Sequence, residues 1–126
     1  MSITSYKDLV AWQKAFQIGS EIYRVSGVFP PDERFCLTSQ IRRSAVSIAS
    51  NIAEGFGRGS AKDYLRFLRV ARGSMYEVET HLLFALELGY LEGERHAAVQ
   101  RGVEEVGRLL GGLIRSVEQR EHGNQH

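Results

Sequence analysis

The chain has 126 residues, 43% of them hydrophobic and 25% charged, proportions that suit a folded domain with its own core and exclude a disordered segment. Lys and Arg number 16 against 15 Asp and Glu, so the net charge of +1 gives no overall bias toward nucleic acid or membranes. One cysteine, Cys36, excludes an internal disulfide framework, and the longest apolar run, Leu82 to Leu86, is far short of the roughly 20 residues that cross a bilayer. With no export signal at Met1 to Tyr6, a cytoplasmic protein is expected.

Gly27 with Pro30 and Pro31, then Gly55, Gly57 and Gly59, then Gly89 and Gly93, divide the chain into four segments. In the first, Leu9, Trp12, Phe16, Gly19 and Tyr23 step by three and four, which predicts a helix with those residues on its core seam and Trp12 as an anchor. The second carries Ile41, Ala45, Ile48 and Ile52, with a stripe of Arg43, Ser47, Ser50 and Glu54 opposite and Asn51 beside it. That small-residue stripe is either a solvated face or packs against a helix or a second subunit, and packing is the favoured reading. The third opens at Ser60, with Asp63 three residues on as in a capping box, and runs Tyr64, Leu68, Ala71, Met75, Val78, Leu82 and Ala85 without a fault. Leu65, Tyr76 and Leu83 make a second apolar stripe that either widens the core or is buried between subunits.

The fourth segment runs Val99, Val103, Val106, Leu110, Leu113 and Val117. Its glycines, Gly102, Gly107, Gly111 and Gly112, each cost about 1 kcal/mol relative to Ala in a helix interior, so this helix needs close packing. Four such segments with short connections predict an all-α, antiparallel up-down four-helix bundle over residues 1–117, followed by a flexible polar tail over 118–126.

No catalytic constellation stands out. The run Gly55-Phe56-Gly57-Arg58-Gly59-Ser60 lacks both the preceding strand and the Gly-Lys-Ser/Thr ending of a phosphate-cradling loop, so it reads as an inter-helix turn. There is no Glu-x-x-His pair of the kind that di-metal bundles use; Glu77 and His81 share a face but supply only two ligands, so neither a metal nor a cofactor is expected. Cys36 reads as a small buried filler. Charge is uneven along the chain: from Arg34 to Arg72 eight basic residues stand against Glu54 and Asp63, a local excess of six. Within this region Arg58, Lys62, Arg66 and Arg69 line one side of the third helix, opposite its seam. Guanidinium groups in a row suit backbone phosphates, and these four with Arg42 are the candidate nucleic-acid contacts; a solvated face paired with acidic neighbours is the other reading.

Several strings are characteristic together: Tyr6-Lys7-Asp8-Leu9, Trp12-Gln13-Lys14-Ala15, Thr38-Ser39-Gln40-Ile41-Arg42-Arg43, Ser50-Asn51-Ile52-Ala53-Glu54-Gly55, Arg58, Ser60, Tyr64, Phe67-Leu68 and Gly73-Ser74 with Glu77 and Glu79. From about Ser5 to Leu91 the chain resembles the bacterial four helix bundle proteins, also called 23S rRNA-intervening-sequence proteins. It departs from them at Ala49, where the family often has proline, and at Cys36, where glycine is usual. The resemblance implies an up-down bundle assembling as a ring-like homopentamer, with no established enzymatic activity. Some members are encoded in insertions within large-subunit rRNA genes, and a similar bundle is the accessory protein of diversity-generating retroelements, which associates with a reverse transcriptase and binds nucleic acid. The family motif falls on Arg42, Arg43, Asn51, Glu54 and Arg58, read as a packing and hydrogen-bonding cluster in which Arg43, Asn51 and Glu54 are structural. A non-enzymatic oligomer that binds RNA or DNA through its basic face is therefore expected. The alternative is a scaffold or adaptor for a protein partner without nucleic acid; no membrane partner is expected.

Overall fold

Ser5 caps the first turn of the chain. Its hydroxyl accepts the Lys7 N–H at 3.2 Å, while the Asp8 carboxylate accepts the N–H groups of Thr4 and Ser5 at 3.1 Å each. Those two backbone donors hold the Asp8 carboxyl below the ordinary carboxylate range. In the computed structural model, which describes residues 2–123, this turn leads into four helices: α1 (Val10–Ser26), α2 (Leu37–Phe56), α3 (Ala61–Glu87) and α4 (Gly93–Gly123). Among the described residues there is no strand.

Contacts across the helix pairs give the topology. Arg42 reaches back to Ser26 and Tyr23, Ser44 meets Glu77 while Ser47 meets Ser74, Glu79 meets Gln100 while Arg69 meets Glu118, and Lys14 pairs with Glu105. Numbers that rise on one helix fall on its neighbour, so adjacent helices run antiparallel. α1 packs on α2, α2 on α3, α3 on α4, and α4 closes against α1, whereas the diagonal pairs do not meet.

The helix ends are where the punctuation residues place them. α1 ends at Gly27; Ser60 caps α3 by accepting the Asp63 N–H at 3.2 Å; Gly89 takes the left-handed conformation, with φ of 76°, so that Tyr90 N–H can return to the Ala85 carbonyl at 2.9 Å. Tyr90 then donates to Glu33 at 2.9 Å and packs its ring near Phe29, tying the α3–α4 turn to the α1–α2 connection at one end of the bundle. α2 is unbroken through Ala49.

All of the expected seam residues of α2 and α3 are buried. In α4, Leu113 is half-buried and Ile114 takes the interior position between Leu110 and Val117. The first helix differs more. Leu9 is buried, but the row that faces the core is Ala11, Ala15, Ile18, Ile22 and Val25, while Phe16 and Tyr23 are 57% and 46% exposed and Trp12 is half-buried. Both rows of α1 keep the same four-three period, so period alone cannot choose between them. Volume decides. Ala11 and Ala15 let α1 lie close to its neighbours, where a line of aromatic rings would hold it off.

The second stripe of α3 also divides, Leu65 being buried and Tyr76 and Leu83 exposed. Cys36 is exposed at the start of α2, not a buried filler, because the chain turns there before its first helical residue. α4 continues through Gly123, beyond Val117, and Glu118 is held by Arg69 at 3.1 Å. Residues 124–126 of the expected tail lie outside the described residues.

Glycines mark the tightest crossings. A Cβ on Gly55 would lie 2.9 Å from the Tyr64 ring, 3.0 Å from Phe67 Cβ and 3.2 Å from the Tyr64 carbonyl; on Gly107 it would lie 3.0 Å from Met75 sulfur, and on Gly102 it would collide with the end of Ile18. The Met75 and Ile18 ends can swing away, but the backbone at Tyr64 cannot. Gly55→Ala should therefore destabilise the protein by about 1–3 kcal/mol through overpacking, although alanine is the better helix former. Denaturant midpoints of the two proteins, at equal slope, check this.

Candidate functional site

With its alanine row turned inward, α1 presents its aromatic row at the seam with α2. Tyr6 meets Trp12 edge-on and Trp12 stacks on Phe16, each pair with ring centroids 5.2 Å apart. These rings and Tyr23 form one wall of an open apolar groove of about 630 Å³, and Val46, Ala49 and Ala53 of α2 line the other side. Arg42 stands outside the groove, in a neighbouring pocket on the far side of Tyr23. Its Nε donates to Ser26 Oγ at 2.8 Å, its Nη2 donates to the Tyr23 carbonyl at 3.2 Å, and its guanidinium lies 4.8 Å from the Tyr23 ring centroid. A cation on the last carbonyls of α1 is favoured by the helix dipole, so Arg42 serves the fold here.

Lys62, Arg66 and Arg69 form an exposed row on α3, as their spacing predicts, while Arg58 lies in the turn before the helix and not on it; the row is not bare. Arg58 is paired with Glu54, Arg66 with Asp63 at 3.7 Å, and Arg69 with Glu118 at 3.1 Å, leaving Lys62 as the cation of this row without a carboxylate partner among the described residues. Arg58 and Arg66 also both lie over the ring of Phe67, at 4.7 and 4.5 Å from its centroid. The residues Arg43, Asn51 and Glu54 do not come together as one cluster. Asn51 donates to the Ser47 carbonyl at 2.8 Å and to its hydroxyl at 2.9 Å, and Ser47 shares a 2.8 Å bond with Ser74 of α3. Glu54 turns to Arg58, and Arg43 lines a separate polar pocket with Glu77 and His81. Of the small residues of this α2 stripe, Ser47 packs against α3, while Ser50 is exposed and lines the groove beside α1, so the stripe is packed only in part.

A family model described as 23S rRNA-intervening sequence protein matches residues 7–112. The chain belongs to that family. The match extends past Leu91 into α4, where the quoted strings of the family end. A solved structure from Bacteroides thetaiotaomicron, described as a protein of unknown function from the S23 ribosomal protein family, superposes with a TM-score of 0.78. It is 24% identical, and the alignment covers 83% of this chain and 98% of that one, so the likeness is one of fold. No curated protein matches the sequence.

For this member of the intervening-sequence family, the groove is the surface that period analysis assigned to the core. The signal for its exposure lay in the parallel row Ala11, Ala15, Ile18, Ile22 and Val25, whose smaller volume suits a close helix contact. No group of three or more His, Cys, Asp or Glu among the described residues is placed to hold a metal ion, and no helix among them is long and apolar enough to cross a membrane. Glu77 accepts the Ser44 hydroxyl at 3.2 Å and forms no ion pair with His81.

His81 Nδ1 is buried without a hydrogen-bond partner, and burial holds the imidazole pKa below its ordinary 6.5 despite the opposing pull of Glu77. The folded state therefore binds a proton less readily than the unfolded chain. This contribution to stability is full above the unfolded pKa of 6.5 and is lost as pH falls through it toward the folded value. Denaturant titrations near pH 7.5 and near pH 5 should show a loss of stability at the lower pH that is smaller in His81→Gln. An equal loss in both proteins would assign the effect elsewhere.

Proposed function

We propose that this chain is a non-enzymatic, self-assembling bundle whose multi-copy particle binds RNA or DNA without strong sequence preference. The observation that carries this reading is the aromatic groove between α1 and α2. Stacked, half-open rings beside exposed Val46 form the kind of patch that proteins keep for association, and rigid aromatics are the side chains that dominate such contacts.

A second exposed apolar surface, Tyr76, Leu83 and Phe84, lies on α3, which stands diagonally across the bundle from α1. Two unlike apolar faces on opposite sides favour a head-to-tail contact, in which the groove of one copy takes the ridge of the next. Such a contact closes into a ring when its rotation closes, which agrees with the homopentamer implied by the family resemblance.

Nucleic acid as the ligand is supported by the exposed arginines and by the separation of charge along the chain. The ion pairs on α3 are exposed and worth about 0–1 kcal/mol each, so a phosphate can displace a carboxylate at small cost. Repetition around a particle multiplies weak contacts into avidity. An adaptor for another protein is the second reading, and the Tyr76, Leu83 and Phe84 ridge favours it: a partner that co-purifies through nuclease treatment would select it.

Light scattering should give a particle of several times the 14.2 kDa chain mass, and Phe16→Glu should reduce it to one chain with its helical circular dichroism intact. A wild-type particle of one chain mass would remove self-assembly. In filter binding, affinity for RNA or DNA should fall steeply as salt rises from about 50 to 200 mM; no binding at the low end would remove the nucleic-acid ligand.

A further inference from the structure

We infer, building on the nucleic-acid reading above, that the phosphate backbone is met chiefly by the outer face of α4, through Arg101, Arg108 and Arg115. These residues follow one another at seven-residue intervals, about 10.5 Å apart along the helix and ~21 Å from first to last. All three are exposed, on the side of α4 away from buried Val103, Val106, Leu110 and Val117. Among the described residues no carboxylate stands within ion-pair distance of any of them.

The two basic rows differ in what surrounds them. In the stretch Arg58–Arg72, three of the five cations are already matched by Glu54, Asp63 and Glu118, leaving Lys62 and half-buried Arg72. On α4, Glu105 is engaged by Lys14 and Glu118 by Arg69, Glu94, Glu104 and Glu121 are in no ion pair among the described residues, and no acidic residue occurs from Arg108 through Val117. The larger number of exposed, unmatched cations therefore belongs to α4.

The glycines of α4 divide in the same way. Gly102 lies under Ile18 and Gly107 under Met75, so helix packing accounts for both. Gly111 and Gly112 have no neighbour of that kind: the atoms nearest to where a Cβ would stand belong to the Arg115 guanidinium, at 3.4 and 3.9 Å. Each still costs the helix about 1 kcal/mol relative to alanine. Between Arg108 and Arg115 they leave room for the Arg115 guanidinium to lie back along the helix toward Arg108, where both can fork onto phosphate oxygens. A length of ~21 Å matches about six nucleotides of a stacked strand at 3.4 Å each. α4 carries no Phe, Tyr or Trp, so this surface offers no stacking platform for bases, and its contacts are to the backbone and independent of sequence.

Fluorescence anisotropy with a fluorescein-labelled single-stranded RNA of mixed sequence tests this with the full chain. Arg101→Gln, Arg108→Gln and Arg115→Gln combined should weaken binding at least about tenfold at about 50 mM salt and make the log–log salt dependence shallower by about two, from ~0.7 per lost phosphate contact. Lys62→Gln, Arg66→Gln and Arg69→Gln combined should change affinity by about threefold or less under the same conditions. Light scattering and circular dichroism establish that each variant keeps the wild-type mass and helicity. If the α4 triple variant does not fold, Arg108→Gln alone decides, with Arg108→Lys expected to restore most of the loss. Wild-type affinity in the α4 variant together with loss in the α3 variant would overturn the assignment and leave the nucleic-acid reading in place. Failure of the wild type to bind RNA at low salt would overturn both. An α4 variant that loses binding only to phosphatidylserine vesicles, with RNA affinity unchanged, would overturn the assignment in favour of a membrane surface.

Discussion

The close approach of α1 to α2 and α4 is the constraint on which the other features rest. It is made by small groups: Ala11 and Ala15 on α1, Ala45 on α2 and Gly102 on α4, the last lying directly against Ile18. Interiors pack at crystal-like density, so a helix that buries alanine sits nearer its neighbours than one that buries phenylalanine. Once α1 is that close, Trp12, Phe16 and Tyr23 have no room inside and must stand at the surface. The groove is therefore a consequence of core packing, and its aromatic wall is held by the same helix whose other face completes the core.

Polar residues at the α2–α3 contact act in the same direction. Ser44, Ser47, Asn51 and Ser74 bond across or along the interface, and Gly55 allows the helices to meet near their connecting turn. Buried hydroxyls satisfied in this way fix the register of α2 on α3, because a shift would leave them without partners. Glu54 meets Arg58 and Asp63 meets Arg66 through local spacing, whereas the α3–α4 pairing places Glu118 beside Arg69, so packing decides only that last match. On α4 the same seven-residue repeat that buries valine and leucine on one side sets Arg101, Arg108 and Arg115 on the other.

Much of the fold is legible in the residues. The uninterrupted four-three alternation from Tyr64 to Ala85 corresponds to a buried row, and so does the shorter one from Ile41 to Ile52, since each of these helices has one apolar face that outweighs the rest. Gly27, Ser60 and Gly89 bound helices for local reasons of capping and left-handed geometry. α1 was ambiguous because it carries two apolar rows at one period, and the larger side chains make the misleading one more conspicuous. Of the candidate site residues, Lys62, Arg66 and Arg69 share the exposed face that their spacing implies, Arg58 is exposed in the turn before it, and the bonds of Arg42 to the end of α1 depend on a helix sixteen residues away.

By itself the sequence determined that this chain makes four helices, where the breaks between them fall, and which rows of α2, α3 and α4 are apolar enough to be buried, because capping and periodicity act over a few residues. Only the tertiary structure decided which row of α1 turns inward, that Lys14 meets Glu105 and Arg69 meets Glu118, and which glycines are pressed against a neighbour. Those outcomes depend on the distance between helices, which is set by the summed volume of side chains from four separate segments and is written in none of them alone.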